Sequence, residues 1–92
     1  NMVKYNEVPF WIEDYTGPSS YIPGGFTVTT KTGPTLLLDV AIIQTTDVYN
    51  AYAKNITGNQ FTIQVFTSGG TEVTSGTNLT TITFKALEFG AR

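Results

Sequence analysis

From Gly25 onward, apolar and polar positions alternate in short runs, and each run ends at Gly, Pro, Asn or Asp. Alternation with period two is the mark of a half-buried strand. Residues 25–31 (GFTVTTK) set Phe26, Val28 and Thr30 against Thr27 and Thr29, which predicts a strand ended by Thr32-Gly33-Pro34. Residues 36–44 (LLLDVAIIQ) are almost continuously apolar. The β-branched Val40, Ile42 and Ile43 favour a strand over a short helix, and a run this apolar predicts cover on both faces. A weaker alternation over 48–55 puts Tyr49, Ala51 and Ala53 on one side and Val48, Tyr52 and Lys54 on the other. The tetrapeptide ITGN (56–59) reads as a tight hairpin connection in which Gly58 and Asn59 can take positive φ. It leads into 60–67 (QFTIQVFT), with Phe61, Ile63 and Val65 facing one way. After a polar stretch, with room for a short strand near Glu72–Thr74, residues 81–89 close the pattern with Ile82, Phe84 and Ala86 on the core side.

These runs predict an all-β protein: a small antiparallel β-sandwich or flattened barrel of five to six strands, occupying 25–92. Residues 1–24 are of another kind. Their aromatics are interrupted by Pro9, Pro18 and Pro23 and keep no regular period. This predicts an extended N-terminal arm (1–24), turning into the sandwich at Gly24-Gly25, with the sandwich folding without it. Fixing so many backbones is entropically expensive, so an ordered arm needs a pocket for nearly every large side chain. Tyr5, Phe10, Trp11, Tyr15 and Tyr21 are therefore the candidate partner-binding residues.

Composition narrows the chemistry. The 92 residues contain no cysteine and no histidine. Disulfides, thiolate catalysis, His-based triads and the usual zinc sites are thereby excluded. No catalytic, metal or cofactor site is expected. With five Lys/Arg, scattered along the chain, and a net charge of −2, there is no basic track for nucleic acid. No apolar run approaches a membrane span. Charged residues make up 13% of the chain, about half the usual share, and threonine supplies an uncharged polar surface instead. The adjacent acids Glu13 and Asp14 point to opposite sides of an extended chain, which fits a solvated or ion-paired role better than acid–base catalysis. Asp39, set in the most apolar strand, is expected to need a partner such as Lys85 or Lys31. Tyr49, Tyr52 and Phe66 can form an aromatic platform for a sugar, with packing against the arm or another subunit as the competing use. Asn55-Ile56-Thr57 and Asn78-Leu79-Thr80 match the N-glycosylation pattern, which a threonine-rich chain produces readily by chance.

The segment DVAIIQTTDVYNAYAKNITGNQFTIQVF, the closing ITFKALEFGA and the opening YIPGGFTVT together resemble small β-sandwich capsid decoration (cement) proteins of tailed bacteriophages. In outline the chain is also similar to H-type lectin-like domains, through Asn55, Ile56, Thr57, Phe61, Ile63, Phe84, Ala86 and Gly90. The arm has no counterpart in the lectin pattern. The decoration resemblance implies a non-enzymatic virion structural protein on the outer capsid surface. It would bind the major capsid protein and stabilise contacts between capsomers, as a homo-oligomer, a trimer by preference. The lectin outline implies the alternative, a carbohydrate-binding or host-attachment module with a glycan as ligand.

Overall fold

The computed structural model describes residues 8–92 and is built of six strands and no helix. They are β1 (Phe10–Thr16), β2 (Phe26–Thr29), β3 (Leu36–Thr45), β4 (Asn50–Thr57), β5 (Gln60–Phe66) and β6 (Thr83–Ala91). Two antiparallel three-stranded sheets result, one ordered β1-β6-β3 and the other β2-β5-β4. The all-β expectation and the strand count hold. One strand comes from an unexpected place. The stretch near Glu72–Thr74 contributes only an isolated bridge, Phe66 to Glu72, while the sixth full strand is β1. The extended leader thus supplies an edge strand of the sandwich itself. Seven consecutive residues, Phe10 to Thr16, pair with Phe89 to Thr83 of β6. The reason is local: Trp11, Glu13 and Tyr15 alternate with Phe10, Ile12 and Asp14 between Pro9 and Gly17-Pro18, a strand pattern short enough to be lost among the prolines.

The core lies between the sheets. Phe61, Ile63 and Val65 of β5 and Phe84 and Ala86 of β6 are fully buried, as their alternation requires. Tyr15 meets Phe61 edge-on at 5.5 Å, and Phe26 meets Phe84 at 5.5 Å. The β4–β5 hairpin turns through Gly58-Asn59, and positive φ falls on Gly58 alone of the two, the pattern of a type II′ turn. Asn55 takes another positive φ, 54°, where the β4–β5 register slips. Leu79 and Val73 plug the sandwich from the 71–82 loop.

Two expectations for β3 are overturned. Its run is not covered on both faces: Leu37, Val40 and Ile42 face inward, whereas Leu36, Leu38 and Ile43 are exposed. Bulges at Leu38 and Ile43 break strict alternation, which is why the strand reads as uniformly apolar. Asp39 is not buried, and its carboxylate accepts a hydrogen bond from the Val40 amide at 2.9 Å rather than pairing with a lysine. Lys85 instead meets Asp14 at 3.1 Å. Lys31 donates to the Asp14 carbonyl at 2.7 Å and lies over the Tyr15 ring.

Candidate functional site

Of the five aromatics named for partner binding, two belong to the chain's own core. Tyr15 and Tyr21 are buried. The Tyr21 hydroxyl accepts from the Val65 amide at 3.0 Å and donates to Glu72 at 2.8 Å. Glu72 also accepts from the Gly24 amide at 2.6 Å, so one carboxylate ties the end of the leader to the far loop. The Gly24 amide first, and then the Tyr21 hydroxyl, hold the Glu72 carboxyl below its ordinary range. Trp11 is half-buried on the inward side of β1, and Phe10 is exposed on the outward side. Tyr5 lies outside the described residues.

Two other constellations stand out. The first is a buried carboxyl pair that the reading of Glu13 and Asp14 did not anticipate. The two acids do point to opposite sides, but Glu13 points inward and is only 7% exposed, beside a fully buried Glu88. Glu13 Oε1 accepts from the amides of Lys31 and Thr32 at 3.1 and 3.0 Å. The Tyr15 hydroxyl donates to Glu88 Oε2 and lies 3.2 Å from Glu13 Oε2. Glu88 Oε1 has no hydrogen-bond partner among the described residues while both acids are ionised. A proton on Glu88, shared with Glu13, supplies that bond. Burial pushes Glu88 up, and the neighbouring Glu13 pushes it further, to about 8 despite the Tyr15 hydroxyl. Burial also pushes Glu13 up, but hydrogen bonds from Glu88, Thr32, Lys31 and Tyr15 outweigh it and hold Glu13 at about 2. At neutral pH the pair therefore holds one proton. Tyr15 is raised well above its ordinary range by burial and by the two acids. A signal for the pair was in the sequence: Glu88 occupies the next inward slot after Ile82, Phe84 and Ala86, and Glu13 the slot before Tyr15.

Gly33 closes over this pair. A Cβ at that position would sit 2.5 Å from both Glu13 Oε2 and Glu88 Oε1. Packed in this way, the pair is placed to hold a proton and to brace the β1–β6 sheet. Among the described residues, no three acids converge to hold a metal ion.

The second constellation is the outer face of the β1-β6-β3 sheet. Across the strands it carries the rows Phe10–Phe89–Asp39 and Ile12–Leu87–Ala41, then Asp14–Lys85–Gln44. Phe10 is 59% exposed and Ile12 53%, and Leu36 extends the apolar part beyond Phe89. The Phe10 and Phe89 rings contact at 6.4 Å. The outer face of the β2-β5-β4 sheet is more polar, carrying Thr27, Thr29, Gln60, Thr62, Gln64 and Lys54, with Tyr52 and Phe66 as an aromatic pair at one end. The β1-β6-β3 face departs from the threonine-rich solution through Phe10, Ile12, Leu87 and Phe89, and the other face through Tyr52 and Phe66. No family model, curated protein or solved structure matches the chain.

Proposed function

We propose that the chain is a non-enzymatic adhesion protein of a virion, docking through the outer face of β1-β6-β3 onto the major capsid protein. The observation that carries this reading is the group of exposed apolar side chains on this outer face, Phe10 and Ile12 foremost. The sheet surface bearing Phe10, Ile12, Leu87 and Phe89 is apolar, bordered by Asp39 on one side and by the Asp14–Lys85 pair on another. The resemblance to capsid decoration proteins supplies the shell as the partner.

The size of the face bears on the mechanism. Three strands about 4.8 Å apart and two to three rows of outward side chains cover roughly 250 Å². Both partners together would bury about 500 Å², against roughly 1,600 Å² for a standard stable interface. At ~25 cal/mol per Å² the gross gain is about 12 kcal/mol. The loss of free motion on association is ~4–15 kcal/mol, so one contact is weak. Repetition on a lattice, and oligomerisation such as a trimer, make weak contacts additive. That is the arithmetic of a protein that reinforces a shell many copies at a time.

The test is co-sedimentation of the chain with shells of a tailed phage whose genome carries this sequence. Wild type should saturate the shells and raise their rupture temperature, and Phe10→Ser/Ile12→Ser should abolish both effects while leaving circular dichroism unchanged. If wild type stays in the supernatant at about 10 μM, or the double variant binds equally well, the reading fails.

A further inference from the structure

A cleft lies where β3 meets β4, touching the docking face only at Gln44. The end of β3 (Ile42–Thr45) and the start of β4 (Asn50–Tyr52), with Tyr49 between them, enclose a cleft of about 280 Å³. Its floor is apolar, from Ile42 and Ala51, and its rim carries Gln44, Asn50 and Tyr52. None of its lining residues is charged.

We infer that this cleft binds a neutral hexopyranose unit of a glycan. Three observations converge on that ligand class. The first is an exposed aromatic ring held in place: Tyr52 is 60% exposed, yet its ring stands edge-on against Phe66 at 5.7 Å and 66°. A fixed, exposed aromatic face is a surface on which the C–H side of a sugar ring stacks. The second is a pair of primary amides, Gln44 and Asn50, both exposed and neither hydrogen-bonded through its side chain within the described residues. Each offers donors and an acceptor at once, which matches vicinal hydroxyls. The third is local rigidity. The Thr45 hydroxyl donates to the Tyr49 carbonyl at 2.6 Å, tying the 45–49 turn. The bulge at Ile43 shifts the register so that Gln44 comes opposite Lys85. A site on fixed elements needs little reorganisation to bind.

The absence of charge from the lining selects against the alternatives. A phosphate or an acidic sugar would find no cation in the lining, since Lys85 opposite Gln44 is paired with Asp14, and an apolar ligand would leave both amides without partners. The volume is just below that of drug-sized pockets, so one sugar ring, or one with part of a neighbour, is the right scale. This inference does not rest on the docking face.

The experiment titrates the ¹⁵N-labelled chain with a panel of neutral oligosaccharides (gluco-, galacto- and manno-configured) and with sialylated and sulfated ones, following amide shifts. At least one neutral sugar should shift the amides of residues 44–52 with a Kd of about 0.1–10 mM. Tyr52→Ala and Asn50→Ala should each weaken it about tenfold, and Phe10→Ser/Ile12→Ser should leave it unchanged. Both cleft variants sit on the surface, and an unchanged thermal midpoint will show that they fold. Three results would overturn the proposal: no shift with any neutral sugar at about 10 mM, tighter binding of the anionic sugars, or shifts indifferent to Tyr52→Ala.

Discussion

Glu88→Gln keeps the length and shape of the side chain while removing its titration. In the native protein Glu88 is fully buried and holds its proton up to about pH 8, against 4.5 for a free side chain. The unfolded chain releases that proton near 4.5. Between these values the native state binds one more proton than the unfolded state, so stability falls as pH rises. The slope approaches ~1.4 kcal/mol per pH unit, and the loss from about pH 5 to about pH 8 is roughly 3 kcal/mol. Glu13 acts with the opposite sign. Its native value of about 2 lies below 4.5, so its contribution is present above pH 4.5 and is lost as pH falls towards 2. Wild type should therefore be most stable near about pH 4.5–5. The carboxamide introduced by Glu88→Gln donates to Glu13 without a shared proton. The variant should thus be nearly flat from about pH 5 to about pH 8 and more stable than wild type at the upper end. The measurement is urea unfolding at about pH 5, 6, 7 and 8. It is followed by fluorescence of Trp11, the single tryptophan, which faces Glu88 across β1 and β6. Parallel pH profiles for the two proteins would refute the shared-proton account.

Other substitutions probe other parts of the structure. Gly33→Ala drives a methyl group into both carboxyls and should cost about 1–3 kcal/mol, read as a lower urea midpoint. Tyr21→Phe removes the acceptor of the Val65 amide and a donor to Glu72, and should cost about 1–3 kcal/mol in the same assay. Asp39→Asn should change stability by less than about 0.5 kcal/mol, because the side chain is exposed and serves only its neighbour's amide. Deleting residues 1–20 strips β1 from β6 and takes Tyr15 out of the core, so the remainder should show no cooperative thermal transition by circular dichroism. That outcome is the reverse of what an independent arm leading into a self-sufficient sandwich implies.

Much of this molecule is written locally. Period-two alternation in 60–67 and 81–89 determined both the strands and the residues that fill the core, because the pleat alone sends alternate side chains to opposite sides. The turn at Gly58-Asn59 was legible because glycine tolerates a backbone that other residues avoid. What alternation cannot state is which side is wet. The run 36–45 carries apolar residues on both sides, and only its pairing with β6, with bulges at Leu38 and Ile43, turned Leu36 and Leu38 to the surface. The same limit applied to the leader. Its aromatics were visible, but pairing with β6 placed Tyr15 inside and Phe10 outside, and the Glu72 hydrogen bonds drew Tyr21 inward. The acids show the division most clearly. The alternation of 81–89 pointed Glu88 inward, but the leader was read as an arm without a period, and only antiparallel pairing of β1 with β6 turned Glu13 inward and brought both acids against Tyr15 to share a proton. Side-chain direction is a property of neighbouring residues, whereas burial and acidity depend on what the rest of the chain places opposite.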